Sequence, residues 1–401
     1  MPKGTGSVSI AGMEVSSVSL GAVLRRFVPR FLKFHDLSLQ QRKVLGSIIA
    51  CKTPALGGHE FGCAKCGRRH CVYHACRDRH CPQCQHYQSQ QWLERQLQDV
   101  LPVPYFHVVF TLAQELNLVI RYNERRLYDL LFAKVSQTLQ TFARDPEHLG
   151  GQLGFMGILH TWGQALPYHP HLHLVVAQGG LNEQGQWVRP KSPGQFLFPV
   201  IALSEVFQGK MLSALERLYK RGKLNFPDEL TRNGFPDQLR MAASKKWEVE
   251  IRRPFAGPEP FLRYVGRYTH RVAISSSRLL QADEKGVTFR YKDYREQGRW
   301  KKMILPGIEF VRRFVQHILP KGFQRLRYYG WMAGAKRREA LGKLREQLVQ
   351  QTQCVVALLV KQAEGKSVSQ PRYRCPFCRS EQVTWLGELA PGRTVGRSDS
   401  S

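Results

Sequence analysis

The chain of 401 residues carries 60 Lys and Arg against 31 Asp and Glu, a formal net charge of +29. Its 42% hydrophobic content, with 10% aromatics, is enough to bury the cores of two or three domains. A self-contained metabolic enzyme does not need such an excess of positive charge, which instead favours a polyanionic partner. Because basic residues are spread along the chain and interleaved with aromatic ones, as in 325–329, nucleic acid is favoured over an acidic membrane surface.

No apolar run is long enough to span a bilayer, and the N-terminus lacks a basic region followed by an apolar run and a cleavage site. We therefore expect a cytoplasmic protein without membrane contact. Seven of the ten cysteines lie between Cys51 and Cys84, several in Cys-x-x-Cys pairs beside histidines. In a cytoplasmic protein, this density favours zinc over disulfides.

The first part of the chain predicts a tail followed by helices. Residues 1–22 are rich in Ser, Gly and Val without a helical period, which predicts a disordered tail. Apolar residues at helical spacing then predict a first helix, a second one capped by Ser38, and a third one ended by Pro102. We expect 23–101 to form a small helical zinc-binding domain that contacts DNA. The three predicted helices are Leu24–Phe34, Leu39–Ala50 and Gln85–Leu101.

From Tyr105 onward, short β-branched and aromatic runs alternate with long helical segments, which predicts an α+β domain over 102–335. C-terminal helices at 336–363 and a flexible basic tail at 364–401, with one Cys-x-x-Cys pair, are predicted to follow. Predicted strands are Tyr105–Leu112, Gly154–Trp162, His169–Ala177 (closed by Gly179-Gly180), Lys246–Arg252, Val272–Ser275, Val287–Tyr291 and Arg299–Leu305. Predicted helices are Leu118–Asp145, as one or two, Leu203–Tyr219, Phe261–Tyr268 and Lys336–Gln350, and Ile308–Ile318 is predicted as a further regular element.

Two Cys-x-x-Cys pairs in the first domain predict a structural zinc site. Cys63 and Cys66, with Cys81 and Cys84 after a 14-residue gap, supply four thiolates. A possible second, interleaved site uses Cys51, His59, Cys76 and His80, with His70, Cys71 and His74 as spare candidates. Zinc would hold the fold while the arginines around it face DNA. Alternatively, the module only supports the catalytic domain or mediates self-association. Cys375 and Cys378 form a further pair without an obvious partner pair.

Three alternating histidines predict a second kind of metal site. His169, His171 and His173 point to one face if this run is a strand. Two neutral imidazoles on a rigid strand, with one further ligand, leave coordination positions open for catalysis. Gln164 is our first choice for the third ligand, and His160 and His169 are competitors. His160 is equally compatible with a hydrogen-bonded core residue.

Tyr264 and Tyr268 lie four residues apart, so on a helix they share one face and both can address one metal. Phosphate-binding donors surround them. A phenol with a pKa of about 10 is a weak nucleophile at neutral pH, which explains its pairing with a metal that stabilises the charge developing on a phosphate. We expect DNA phosphate contacts from Arg263, Arg267, His270 and Arg271.

The His171-Leu172-His173 motif followed by Tyr264-x-x-x-Tyr268 resembles the HUH endonuclease superfamily, named for two histidines around a hydrophobic residue. The Cys/His run at 76–85 resembles the zinc-binding domain of two-tyrosine rolling-circle transposases from bacterial insertion sequences. Further segments resemble the same family, and the resemblance spans about residues 24–335. These segments are 160–164, 264–274 and 327–330.

The resemblance implies an HUH-type antiparallel sheet flanked by helices and preceded by a small helical zinc-binding domain. It implies Mg or Mn at His171 and His173, with Tyr264 and Tyr268 as nucleophiles. The implied activity is nicking and religation of single-stranded DNA through a 5′-phosphotyrosine, which drives rolling-circle transposition. The expected partners are single-stranded DNA at transposon ends and target, and a host helicase. The expected location is the bacterial cytoplasm, at the nucleoid.

Two alternatives remain open from the sequence. A rolling-circle replication initiator or a relaxase shares the chemistry, and the zinc module that precedes the histidines favours the transposase. A zinc-containing DNA-binding regulator without catalysis is the alternative from another class.

Overall fold

The computed structural model describes residues 18–85, 100–191, 198–255, 272–334, 337–351 and 373–392. The predicted helix Phe261–Tyr268 lies outside the described residues, as do nearly all of the predicted tail at 1–22 and of the predicted helix Gln85–Leu101. The fold is α+β, with antiparallel sheets flanked by helices, as predicted. Among the helices in the described part of the chain, none is long and apolar enough to cross a membrane.

The chain begins with two packed helices, α1 (Leu20–Phe31) and α2 (Leu39–Ala50). The bounds predicted for α2 are confirmed, because the Ser38 hydroxyl accepts from the Gln41 amide while the Gln41 side chain accepts from the Ser38 amide. Helix α1 begins earlier than predicted, since the Ser19 side chain caps it by accepting from the Ala22 amide at 3.1 Å.

A small antiparallel sheet follows, built from β1 (Gly58–Cys63), β2 (Arg69–Tyr73) and β12 (Val383–Leu389) in the order β12-β1-β2. The domain predicted as helical therefore also contains strands. Strand β12 comes from the segment predicted as a flexible tail. Within 364–401, residues 373–392 are folded, because β12 supplies a strand to the edge of β1.

The main sheet has the order β11-β4-β5-β3-β7, with β6 paired to β5, and every pairing is antiparallel. One face packs against four helices around a core that includes Phe110, Phe155 and Leu172. The other face packs against a C-terminal helix around Tyr105, Ile158 and Val175. These strands are β3 (Tyr105–Thr111), β4 (Gln152–Trp162), β5 (Tyr168–Leu181), β6 (Trp187–Val188), β7 (Val249–Phe255) and β11 (Leu326–Tyr329). The helices are α3 (Asn117–Tyr122), α4 (Glu124–Arg144), α5 (Val200–Lys220) and α6 (Phe235–Ser244) on the first face and α8 (Arg337–Gln351) on the second.

A third antiparallel sheet, in the order β10-β9-β8, packs with α7 against α1 and α2. The core between them contains Phe27, Phe289 and Phe310. This packing joins the N-terminal helices to the last part of the region predicted to form the second domain, 102–335. The elements are β8 (Leu279–Asp283), β9 (Gly286–Asp293), β10 (Arg299–Leu305) and α7 (Gly307–Val315).

Two strand predictions are wrong in detail. Val272–Ser275 is not a strand: its apolar side chains are buried in an irregular segment. Strand β5 is not closed by Gly179-Gly180 but continues to Leu181, because Gly180 pairs with both Leu153 and Val188.

The turn after β11 requires a glycine, which yields a stability prediction. Gly330 has a φ of +59°, and a Cβ there would lie 1.8 Å from the carbonyl oxygen of Leu153. We expect Gly330→Ala to lower the free energy of unfolding by at least about 2 kcal/mol, measured by urea denaturation. The control Gly342→Ala lies within α8 with nothing within 4 Å of the added carbon, so it should be neutral or stabilising. Equal effects of the two variants would contradict the described turn.

Candidate active site and cysteine clusters

The pairing of β4 with β5 brings three imidazoles together. His160 lies opposite His171, and Ile158 lies opposite His173. One ring nitrogen from each of His160, His171 and His173 lies within 4.8 Å of the others, and we call these residues the histidine cluster. The Nε2 atoms of His171 and His173 are 3.0 Å apart. His160 and His171 are 2% and 9% exposed, so the strands hold these rings in place.

Hydrogen bonds behind the cluster orient two of these rings. The Nδ1–H of His171 donates to the carbonyl oxygen of His169 at 2.6 Å. His173 Nδ1 lies 2.9 Å from the Nε2 of His107, on the neighbouring strand β3. When Nδ1 carries the proton in both His171 and His173, the Nε2 lone pair of each ring faces the other residues of the histidine cluster. This is the arrangement in which metal-binding histidines are held by their second ring nitrogen.

Burial keeps the supporting histidine neutral. It lowers the pKa of His107 to about 3, and the charge of Arg252 acts in the same direction. At neutral pH, His107 therefore has one nitrogen able to accept a hydrogen bond from His173.

The sequence predicts three candidates for the third ligand, and the structure brings His160 into the cluster. His169 lies with its ring centroid 5.2 Å from that of His171 and contributes its backbone carbonyl to the site. Gln164, our first choice, lines the same pocket, where its amide nitrogen is 3.5 Å from the hydroxyl of Tyr294. Sequence spacing alone did not separate these candidates, because the cross-strand register decides which side chain faces His171.

The histidine cluster lies in an open pocket of about 360 Å³. Two arginines line it, Arg252 on β7 and Arg278 just before β8. Arg252 is paired with Glu250 at 2.9 Å, and the guanidinium of Arg278 donates to the backbone carbonyl of Arg290 at 2.7 Å. Glu248 and Glu250 line the pocket as well, so side chains of both charges lie beside the imidazoles. The two arginines suit a phosphate-containing substrate.

The predicted nucleophiles and phosphate contacts lie outside the described residues. They are Tyr264, Tyr268, Arg263, Arg267, His270 and Arg271.

The first cluster of thiols differs from the predicted grouping. Cys51, Cys76, Cys81 and Cys84 form one cluster, here called the N-terminal cysteine cluster. The Sγ atom of Cys84 lies 3.5 Å from that of Cys51 and 3.6 Å from that of Cys76. Tetrahedral zinc with Zn–S bonds of about 2.3 Å places its sulfurs about 3.8 Å apart, so this donor set fits zinc.

Cys63 and Cys66 belong to a different group, formed with Cys375 and Cys378, which we call the split cysteine cluster. The predicted set Cys63, Cys66, Cys81 and Cys84 is therefore divided between two clusters. The physical reason is that β12 pairs antiparallel with β1, so that Cys375 and Cys378, which precede β12, lie at the end of β1. The sequence shows the Cys375 pair, but its separation from Cys63 conceals the partnership.

Neither predicted histidine ligand lies in a cysteine cluster. His80 Nδ1 is 2.9 Å from the carboxylate of Asp78, and its Nε2 accepts from the backbone amide of Leu319 at 3.2 Å. His59 packs edge-on against His74 and faces the indole nitrogen of Trp385 at 3.4 Å. The spacing of His59 and His80 from the cysteines along the chain predicted that they bind zinc. In the structure, both side chains form hydrogen bonds instead.

The contacts of His80 predict how removal of its side chain affects zinc binding and stability. We expect His80→Ala to leave the zinc content of the purified protein unchanged but to lower its stability by about 2 kcal/mol, because the buried Leu319 amide loses its acceptor. Zinc measured by plasma mass spectrometry and urea unfolding would be compared with Cys84→Ser, which should lose one zinc. Loss of zinc from the His80→Ala variant would show instead that His80 is a zinc ligand.

Comparison with known proteins bears on both regions. A family model described as "Putative transposase" matches residues 154–340, which include the histidine cluster, and a "Transposase zinc-binding domain" matches 23–112. The chain is 42% identical over 396 residues to the "Putative transposase y4qJ" of Sinorhizobium fredii, covering 95% of this chain and 98% of that protein. It is 29% identical over 342 residues to the "Transposase for insertion sequence element IS801" of Pseudomonas savastanoi pv. phaseolicola, covering 84% and 81%. No solved structure matches significantly. The chain belongs to this family of insertion-sequence transposases with an N-terminal zinc-binding domain.

Proposed function

We propose that this transposase cuts and rejoins single-stranded DNA at the histidine cluster, by attack of a tyrosine on a phosphodiester. The observation that carries the proposal is the convergence of His160, His171 and His173 in an open pocket lined by arginines. Such a pocket can hold a divalent cation and a phosphate side by side.

The histidine cluster can hold a divalent ion in a catalytic role, and the family resemblance, rather than the donor set, is the ground on which we propose Mg or Mn. Three neutral imidazoles leave further coordination positions for oxygen atoms of the substrate. When bound, the ion supplies positive charge that stabilises the phosphate as charge develops on it. The chain itself keeps the imidazoles aligned through the hydrogen bonds from His171 to the His169 carbonyl and from His173 to His107.

Tyr264 and Tyr268 are the proposed nucleophiles, on the grounds of their spacing and their basic neighbours in the sequence. The described residues on either side of this segment support the assignment, because Arg252 and Arg278 both line the histidine pocket. A phenol loses its proton as its oxygen forms a bond to phosphorus, the bond from phosphorus to the 3′ oxygen breaks, and the released 3′ oxygen takes up a proton to become a 3′ hydroxyl. The resulting 5′-phosphotyrosine keeps the energy of the broken bond, so the reverse attack by a 3′ hydroxyl rejoins DNA without ATP.

The proposed substrate is single-stranded DNA at the ends of the transposon and at the target. The net charge of +29 supports strong binding to a phosphate backbone. Paired DNA must be opened before such a reaction, and we assign that step to a host helicase. Two tyrosines would support the two transfer steps that a rolling-circle transposition requires.

The nearest rival is an initiator of rolling-circle replication or a relaxase, which uses the same chemistry on another DNA. The relatives' names refer to transposases, and one refers to an insertion sequence, which favours transposition. Binding and cleavage at the ends of the element carrying this gene, rather than at a plasmid origin, would separate the two.

The proposed nucleophiles can be tested on labelled single-stranded DNA with Mn. We expect the double variant Tyr264→Phe with Tyr268→Phe to lose both cleavage and the covalent protein–DNA adduct detected on denaturing gels. The control Tyr122→Phe removes a half-exposed phenol at the end of α3, away from the pocket residues, and should retain both. Cleavage that survives in the double variant would refute the tyrosine mechanism, and an absent adduct in the wild type would favour a regulator without catalysis.

The third ligand can be tested by metal affinity. We expect His160→Ala to weaken Mn binding at least about 10-fold, because the cluster loses one of its three nitrogens. Gln164→Ala, on the rim of the same pocket, should change the affinity by less than about 3-fold. Isothermal titration calorimetry with Mn on the full chain measures both. A larger loss of Mn affinity in Gln164→Ala than in His160→Ala would identify Gln164 as the third ligand.

A further inference from the structure

Two segments that are far apart in the sequence meet at the split cysteine cluster. Cys63 is the last residue of β1 and Cys66 follows it, whereas Cys375 and Cys378 precede β12. The Sγ atoms of Cys63 and Cys378 are 3.6 Å apart, and those of Cys66 and Cys375 are 3.7 Å apart. These separations are far beyond the length of a disulfide, about 2.05 Å, and match the spacing of about 3.8 Å between sulfurs on tetrahedral zinc.

The two halves of this cluster have the same backbone construction. In the first, the amide of Gly67 donates to the carbonyl of Cys63 at 2.8 Å, and the Cys63 amide donates to the Arg68 carbonyl at 3.0 Å. In the second, the amide of Arg379 donates to the carbonyl of Cys375 at 3.0 Å, and the Cys375 amide donates to the Ser380 carbonyl at 2.9 Å. Each Cys-x-x-Cys pair is therefore wrapped in one tight turn that aims both sulfurs to the same side.

The residue after each pair also adopts the same unusual conformation. Gly67 has a φ of +68°, and Arg379 has a φ of +62°. A left-handed conformation costs a non-glycine residue about 1 kcal/mol, so the turn at Arg379 must be held by its surroundings. A metal that binds the two sulfurs of the turn supplies such a constraint.

The remaining surroundings are those of a closed structural site. Cys375 is fully buried and Cys63 is 3% exposed, and the four thiols supply all the ligands that a tetrahedral zinc needs. The neighbouring strands pair over the full length of β1, from Gly58 with Leu389 to Cys63 with Val383.

We infer that Cys63, Cys66, Cys375 and Cys378 bind a second structural zinc ion, which fastens the C-terminal segment 373–392 to the N-terminal domain. This site extends beyond the zinc-binding family match at 23–112, which contains only two of its four ligands. Strand β12 is thereby part of the zinc-binding domain. Metal binding in such a site contributes directly to folding, so the segment depends on the ion for its attachment.

Zinc content of the full-length protein tests this inference. Plasma mass spectrometry should find two zinc ions per wild-type chain, and one in the double variant Cys375→Ser with Cys378→Ser. The matched control Cys71→Ser removes a thiol of β2 that belongs to neither cluster, and it should retain two. Limited proteolysis should release the segment 373–392 much faster, by about 10-fold or more, from the double variant than from the control.

A second measurement needs no variant, so it decides the matter even if the double variant fails to fold. Wild-type protein reconstituted with ¹¹³Cd should give two cadmium resonances in the tetrathiolate range. One zinc per wild-type chain, two zinc ions retained by the double variant, or one tetrathiolate cadmium resonance would overturn the inference. Two disulfides in the intact mass of the unreduced protein would overturn it as well.

Discussion

The candidate site depends on one structural constraint, the antiparallel register between β4 and β5. This register sets His160 opposite His171 and places His173 beside both. A slip of one residue would turn these rings away from one another, because side chains alternate between the faces of a sheet. The apolar residues between them prevent such a slip, since Leu172 and Leu174 are completely buried against the helices on the opposite face. The core thus fixes the geometry of the site.

The zinc-binding region and the catalytic region are joined by specific contacts. The Leu319 amide donates to His80 at 3.2 Å, and the guanidinium of Arg79 donates to the Pro320 carbonyl at 3.1 Å. The hydrophobic core between α1, α2 and α7 adds apolar contacts between the two regions. With the split cysteine cluster, the N-terminal domain holds both the catalytic region and the C-terminal strand. A domain that binds DNA would therefore present it in a defined relation to the histidine pocket.

Local features were predictable from the sequence because they depend on short-range physics. The helix cap at Ser38 and the alternation of His171 and His173 are examples, and both are present in the structure. Long-range pairings were not predictable in this way. The choice of His160 depends on a cross-strand register, and the partnership of Cys63 with Cys378 depends on a strand that joins residues about 300 positions apart. Spacing along the chain carries no information about either contact.

The proposed mechanism requires the histidine cluster to hold the catalytic metal. Anomalous diffraction from a crystal of the full chain soaked in Mn²⁺ shows where the ion binds. We expect a manganese peak about 2.2 Å from one ring nitrogen each of His160, His171 and His173, and no such peak in a His171→Ala crystal. The histidine cluster would not be the metal site if manganese bound only elsewhere in the wild-type crystal, or if the peak at the cluster persisted without His171.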